Sequence, residues 1–258
     1  MKRVFLVLLV LSIFSLPGLA QEPTAKPEAK SPEATTPEAL PSIDQILDKL
    51  IEGAGGKAAI EKITSRQVTG EFEIAAFGVN GTLKAYSKAP NKNSSVADVP
   101  GVGLFLRGFD GTVAWEQDPN AGLHEIAGAE LAARKRDADF HMELHIKDLF
   151  PKLAVKAKQK VGEKEAYLVE ATPAEGNVEK LYFDVKSGLL IRHDAERDSA
   201  QGVLAIETYF DDYRDLDGIK VPFSIKQVNP AFTMSIKITE VKHNVEIDVA
   251  KFAKPAAQ

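Results

Sequence analysis

Hydrophobic positions along the chain follow two rhythms. In "SIDQILDKLIEGAGG" (42–56), Ile43, Ile46, Leu47, Leu50 and Ile51 recur at helical spacing and form one apolar stripe. Ser42 is placed to cap this helix, Asp44 lies in its first turn, and Gly53, Gly55 and Gly56 end it. "KAAIEKI" adds a short further turn. After Thr64 the period drops to two. In "VTGEFEIAAF", Val68, Gly70, Phe72, Ile74 and Ala76 alternate with polar or small partners, the mark of a half-buried strand.

Turn signals punctuate the rest of the chain. Asn80-Gly81 precedes "TLKAYSKA", and Asp110-Gly111 joins "GLFLRGF" to "TVAWEQD". Further on, "LAVKAKQKV", "AYLVEATP", "VEKLYFDV", "LLIRHDAER", "VLAIETYFDDY", "IKVPFSIKQV" and "FTMSIKITEVKH" read as strands. Gly162-Glu163, Glu175-Gly176, Ser187-Gly188 and Asp217-Gly218 separate them. Only "AGAELAARKRDADFHMELHI", roughly 128–147, breaks the alternation, and its composition predicts a helix with no proline before Pro151. The pattern predicts one helix, about five strands, a helical insertion, then about six or seven strands, all in a single α+β domain over 42–258. Two helices are scant cover for such a sheet. Either it closes on itself as a filled barrel, or it wraps a cavity that the helices partly plug.

The N-terminal segment sets the compartment. "MKRVFLVLLVLSIFSLPGLA" has Lys2 and Arg3, then an apolar run, then small residues, and predicts a signal peptide over 1–20 cleaved after Ala20. Its apolar run falls short of the about 20 residues a membrane span needs. Residues 21–41, rich in Pro, Ala and Glu, have almost nothing to bury and predict a disordered linker. The mature chain is therefore expected in the periplasm. It has no cysteine, which excludes disulfides, thiolate metal sites, a cysteine nucleophile and a lipidated cysteine anchor. The chain carries a net charge of −5, and losing Lys2 and Arg3 makes it more acidic. Nothing in that balance attracts nucleic acid.

"ADFHMELHIKDLF" (138–150) poses the one sharp chemical question. On a continuous helix His141, His145 and Asp148 share a face, and two imidazoles with a carboxylate are a possible divalent-metal set. The stretch lacks the glutamate that follows the first histidine in a zinc-protease helix, and Glu143 lies off the shared face. The residues therefore read as the polar side of a lid, with Phe140 and Leu144 on its apolar side and no metal. "YFDDYRDLDG" fails as a calcium loop, with Tyr213 at its first ligand position and Ser224 at its last. Neither a Gly-x-Ser-x-Gly elbow nor a phosphate-binding or dinucleotide-binding glycine motif is present. No catalytic residue and no cofactor are assigned.

Nine apolar positions are candidates for cavity wall or lid: Phe72, Ile74, Leu104, Leu106, Trp115, Phe140, Leu144, Phe223 and Ile225. Strand parity gives the strand residues among them apolar company on one face. It does not say whether the space beyond is filled core or ligand.

Several segments, taken in order, resemble the periplasmic lipoprotein-carrier (LolA/LolB-like) superfamily of outer-membrane lipoprotein-sorting proteins. They are the opening "ILDKLIEGAGG" with "KITSRQVTGEFEI", then "GFDGTVAWEQDP", the helical insertion, "YFDVKSGLLIRHD", "YFDDYRDLDGIKVPFSIK" and the closing "NVEIDVAKFAKP". The resemblance implies a highly curved antiparallel β half-barrel of about eleven strands, closed by the N-terminal helix and a helical lid over an apolar cavity. The function it implies is that of a carrier or chaperone shielding lipid or lipoprotein acyl chains during transport toward the outer membrane. Inner- and outer-membrane transport components are the implied partners. With no cysteine to lipidate, the chain resembles the soluble carriers rather than the anchored receptor. A lipid-sensing regulatory module and a metal-dependent enzyme built on His141 and His145 are the competing classes.

Overall fold

A computed structural model describes residues 39–199 and 202–256. The expected signal peptide and most of the expected linker lie outside them. Two short helices open the described chain, α1 (Ile43–Gly53) and α2 (Lys57–Glu61). Six strands come next: β1 (Ser65–Ile74), β2 (Val79–Lys88), β3 (Lys92–Val99), β4 (Gly103–Phe109), β5 (Ala114–Asp118) and β6 (Gly122–Ile126). The insertion forms α3 (Gly128–Asp137) and α4 (Met142–Leu149). The remainder is β7 (Lys152–Val161), β8 (Lys164–Thr172), β9 (Glu179–Asp184), β10 (Leu190–Ser199), β11 (Gly202–Leu216), β12 (Ile219–Val228) and β13 (Thr233–His243).

All thirteen strands belong to one antiparallel sheet, ordered β6-β5-β4-β3-β2-β1-β13-β12-β11-β10-β9-β8-β7. Strands β6 and β7 end the order without pairing to each other, so the sheet is open, in keeping with a half-barrel. The strand count exceeds the expected one of about eleven. Strand β6, "GLHEI", is five residues long and half polar, too short for alternation to reveal.

The insertion also departs from expectation. Instead of one helix over 128–147, the chain breaks between Asp137 and Met142. Asp139 causes the break: its carboxylate accepts the backbone N–H of His141 at 3.0 Å, a local bond that competes with helix continuation. Phe140 N–H meanwhile donates to Pro90 O at 2.9 Å, tying the break to the β2–β3 turn.

Helix α1 is seated by its ends and its stripe. Ser42 and Gln45 form a reciprocal capping box. Ile46, Leu47 and Leu50 pack on Val169, Ala171, Leu181 and Phe183 of the sheet and on Ile146 and Phe150 of the insertion. At its far end, a Cβ on Gly53 would stand 2.0 Å from Ser187 O, and one on Gly55 2.1 Å from Gly218 O. Glycine alone permits this approach, and Lys220 N–H then donates to Ala54 O at 2.9 Å. Among the described residues no helix is long and apolar enough to cross a membrane.

Candidate functional site

Residues opposite one another in an antiparallel ladder present their side chains on the same face. Gly81, Phe72, Ile236, Ile225 and Phe210 form one such row across β2, β1, β13, β12 and β11. A Cβ on Gly81 would stand 2.7 Å from the Phe72 ring, so the glycine makes room for it. Ile74 continues the face on β1, two residues beyond Phe72. Phe223 precedes Ile225 by two residues and is buried with Val221, Ile238, Ile60 and Ile63, against which Phe140 and Leu144 of the insertion pack. These contacts fix the row as belonging to the helix-covered face. Phe72 and Phe223 are buried, whereas Ile74, Ile225, Ile236 and Phe210 are only half-buried.

Beneath α1 and the insertion lies a cavity of about 190 Å³, lined by Leu50, Phe140, Ile146, Phe150, Phe183 and Val221 among others. Polar groups ring it. Arg66 stands 5.6 Å over the Phe140 ring, and its Nε donates to the His243 ring at 3.1 Å. Tyr213 donates its hydroxyl to Leu190 O at 2.6 Å. Burial pushes the Tyr213 phenol up, and the negative charges of Glu143 and Asp211 push the same way, so it remains a neutral donor. The cavity is smaller than the roughly 300–1,000 Å³ of typical small-ligand sites. A longer chain would have to displace the insertion or run out along the half-buried row.

The insertion is anchored at its other end by buried charge. Glu179 accepts from Arg136 of α3 at 2.8 Å, from Arg197 at 2.9 Å and from His193 at 2.6 Å. Arg197 also bridges to Asp137 of α3 at 3.2 Å. Burial alone would raise the Glu179 carboxyl, but the hydrogen bond and charge of His193, then Arg197 and Arg136, hold it down at about 2.

The two histidines of the insertion have separate duties. His141 precedes α4 in a non-helical conformation, so it does not share a helix stripe with His145 and Asp148. Its Nε2 donates to Ile63 O at 2.8 Å, tying the break to the α2–β1 connection. His145 Nδ1 bonds the Asp139 carboxylate at 2.9 and 3.0 Å. Asp148 is exposed. Among the described residues no group of three or more His, Asp or Glu side chains is placed to hold a metal ion.

Leu104, Leu106 and Trp115 lie on the opposite face. The ladder pairs Leu106 with Val96 and Gln117, and Trp115 with Gly108, whereas Phe105 and Phe109 take the helix-covered side. Phe109 is buried there with Ala114, Ile126 and Ala138. Trp115 donates its indole N–H to Phe252 O at 2.9 Å, so the C-terminal segment folds back over it. Leu104 and Leu106 line a shallow groove of about 510 Å³ beside it, with Lys84, Tyr86 and Lys251. The nine candidates are thus divided six to three between the two faces. Phe210, Ile236 and Glu179 were not singled out from the sequence. The first two alternate correctly within their strands, but their alignment with Phe72 exists only in the register.

The fold is that of the LolA-like proteins. A DUF1329 family protein from Desulfovibrio piger superposes with a TM-score of 0.55 at 15% identity, covering 84% of this chain and 99% of that one. A putative outer membrane lipoprotein-sorting protein domain from Vibrio parahaemolyticus gives 0.54 at 12% identity, covering 82% and 97%. A LolA superfamily protein from Nitrosomonas europaea gives 0.55 at 11% identity, covering 83% and 99%. No family model matches the chain, and no curated protein matches it in sequence.

Proposed function

We propose that this protein is a periplasmic carrier or chaperone that shields lipid or lipoprotein acyl chains on their way toward the outer membrane. The observation that carries the reading is the Phe72–Ile236–Ile225–Phe210 row, which runs apolar across four strands and is incompletely covered by the helices. A half-buried apolar strip on the inner face of a curled sheet is costly in water, and an acyl chain laid along it would recover about 0.8 kcal/mol per buried methylene. The likeness in fold to a putative outer membrane lipoprotein-sorting domain supports the same reading. The insertion acts as lid: Phe140 lines the cavity, Leu144 packs on the adjoining apolar cluster, and both yield to the chain as it enters. The reaction is burial and release, with no covalent step and no cofactor. Export by the N-terminal segment places the protein between inner- and outer-membrane transport components.

Native mass spectrometry of protein isolated from its own cell envelope, followed by lipid extraction, tests this. Co-purifying acyl species in stoichiometric amount are expected. A homogeneous lipid-free protein that also fails to take up added fatty acid contradicts the proposal.

A further inference from the structure

The sheet has two very different ends. At the end that carries Phe77, four turns that follow one another in sheet order join β5 to β6, β3 to β4, β1 to β2 and β12 to β13. They read Pro-Asn-Ala (119–121), Pro-Gly-Val (100–102), Ala-Ala-Phe-Gly (75–78) and Asn-Pro-Ala-Phe (229–232). The uncharged stretches extend well into the strands: residues 74–83, 99–106, 119–123 and 227–236 contain no Asp, Glu, Lys, Arg or His. The turns at the other end carry Asp110, Glu163, Lys186 and Asp217.

Exposed apolar side chains gather at this end, where the β8–β9 connection also lies and adds Glu175. Phe77 is 57% exposed, and Val102, Leu104 and Val178 are also exposed there. Val203, at the start of β11 and the same end, is 61% exposed. Outside this end, the exposed large hydrophobics among the described residues are Leu40 and Val249. Phe77 and Phe232 meet edge to face at 6.1 Å, joining two neighbouring tips into one aromatic knob.

We infer that this end of the sheet docks on a lipid bilayer whose headgroups are zwitterionic. The charge pattern selects that surface. Behind the tips the first charged residues are of both signs: Glu73, Asp98 and Asp118 with Lys84, Arg107, Lys226 and Lys237. Asp118 borders its turn and accepts from the Asn120 and Ala121 N–H groups at 2.7 and 2.8 Å. Glu73 and Asp98 lie one residue inside their strand ends, and the cations stand two to five residues back, roughly 7–16 Å at about 3.3 Å per strand residue. An apolar edge with carboxylates nearest the tips and cations behind them is repelled by an anionic surface and suits headgroups that carry both charges and no net one. A protein partner would require a continuous complementary surface. The tips instead stand about 10 Å apart, two strand spacings, and a fluid surface closes around each of them. Contact with lipid extends the carrier reading without depending on it, since the tips would meet a bilayer whether or not the inner face holds a chain.

Vesicle flotation of protein isolated from the cell envelope, with phosphatidylcholine vesicles and with vesicles containing added phosphatidylglycerol, tests the inference. The wild type is expected to float with neutral vesicles, to gain little from anionic lipid and to resist salt. The triple variant Phe77→Ser, Val102→Ser, Phe232→Ser should partition about tenfold less, since it removes three apolar tips. It should unfold near the wild-type temperature and still bind fatty acid in solution. Binding to anionic vesicles alone that salt abolishes, a variant that floats like the wild type, or a wild type that ignores vesicles would each overturn it. Failure of fatty-acid binding with flotation intact would count against the carrier reading and leave this one standing.

Discussion

Arg136 on α3 and Glu179 at the start of β9 meet at 2.8 Å with the carboxylate almost wholly out of water, 2% exposed. This pair fastens the insertion to the sheet, and Arg197 and His193 complete the carboxylate's surroundings. Its charge state therefore couples the lid to pH. The folded Glu179 sits at about 2 against an ordinary 4.5, so its contribution is fully present above about 4.5 and is lost as pH falls toward 2. At about 1.4 kcal/mol per unit this is roughly 3 kcal/mol. Acid titration followed by near-ultraviolet circular dichroism should show stability falling through that window. Glu179→Gln should lose about 3–5 kcal/mol at neutral pH, because the Arg136 guanidinium loses its counter-charge and Arg197 keeps only Asp137, and should flatten the acid response. An unaltered acid profile in the variant would mean the cluster does not govern the lid.

The imidazoles of the insertion hold backbone and Asp139, and in a carrier they do no chemistry. His141→Ala with His145→Ala should leave acyl binding intact and cost no more than about 2 kcal/mol in stability, the worth of two partly exposed hydrogen bonds. Metal analysis of freshly isolated protein provides the check. One zinc per chain in the wild type, absent from the double variant together with an activity, would promote the enzyme reading.

If the insertion opens to admit cargo, it must do so without global unfolding, so it belongs to the low-stability part of the molecule. The two segments are short, ten and eight residues, separated by the break at Asp139. Hydrogen exchange should be faster over 128–149 than over 203–240 in free protein and should slow when fatty acid is bound. Replacing Phe140 and Leu144 by Ser should speed ligand release while changing strand protection less. Equal protection of both regions, unmoved by ligand, would make the insertion a fixed piece of core.

Much of this architecture is written in alternation and turn chemistry. The stripe from Ile43 to Ile51, the Asp110-Gly111 and Asp217-Gly218 turns and the strands from Leu153 onward are local signals, and they fold as they read. Asn80-Gly81 does not, because both residues pair within β2 with Glu73 and Phe72 and the turn falls at 75–78. What failed is what depends on distant partners. "GLFLRGF" is apolar at both parities, so alternation leaves open whether Leu104 and Leu106 or Phe105 and Phe109 face the helices. The face is decided by Phe252, more than a hundred residues later, returning to cover Trp115. The insertion reads as one helix because its composition favours helix throughout. The bonds that break it, from Asp139 to His141 and from Phe140 to Pro90, involve one polar side chain and a turn nearly fifty residues earlier. Glu179 looks like any strand carboxylate until Arg136 arrives from α3.

The placement of Trp115 also determines how binding should be measured. Its indole lies on the far face, so its emission is expected to report little of a chain on the inner row. A photoreactive fatty acid, cross-linked to the protein and mapped by peptide mass spectrometry, asks directly where the chain lies. Adducts are predicted on peptides of β1, β12, β13 and the insertion, around Phe72, Ile225, Ile236 and Phe140, competed away by unlabelled fatty acid. Adducts confined to Leu104, Leu106 and Trp115, or labelling that unlabelled fatty acid does not reduce, would contradict the carrier reading.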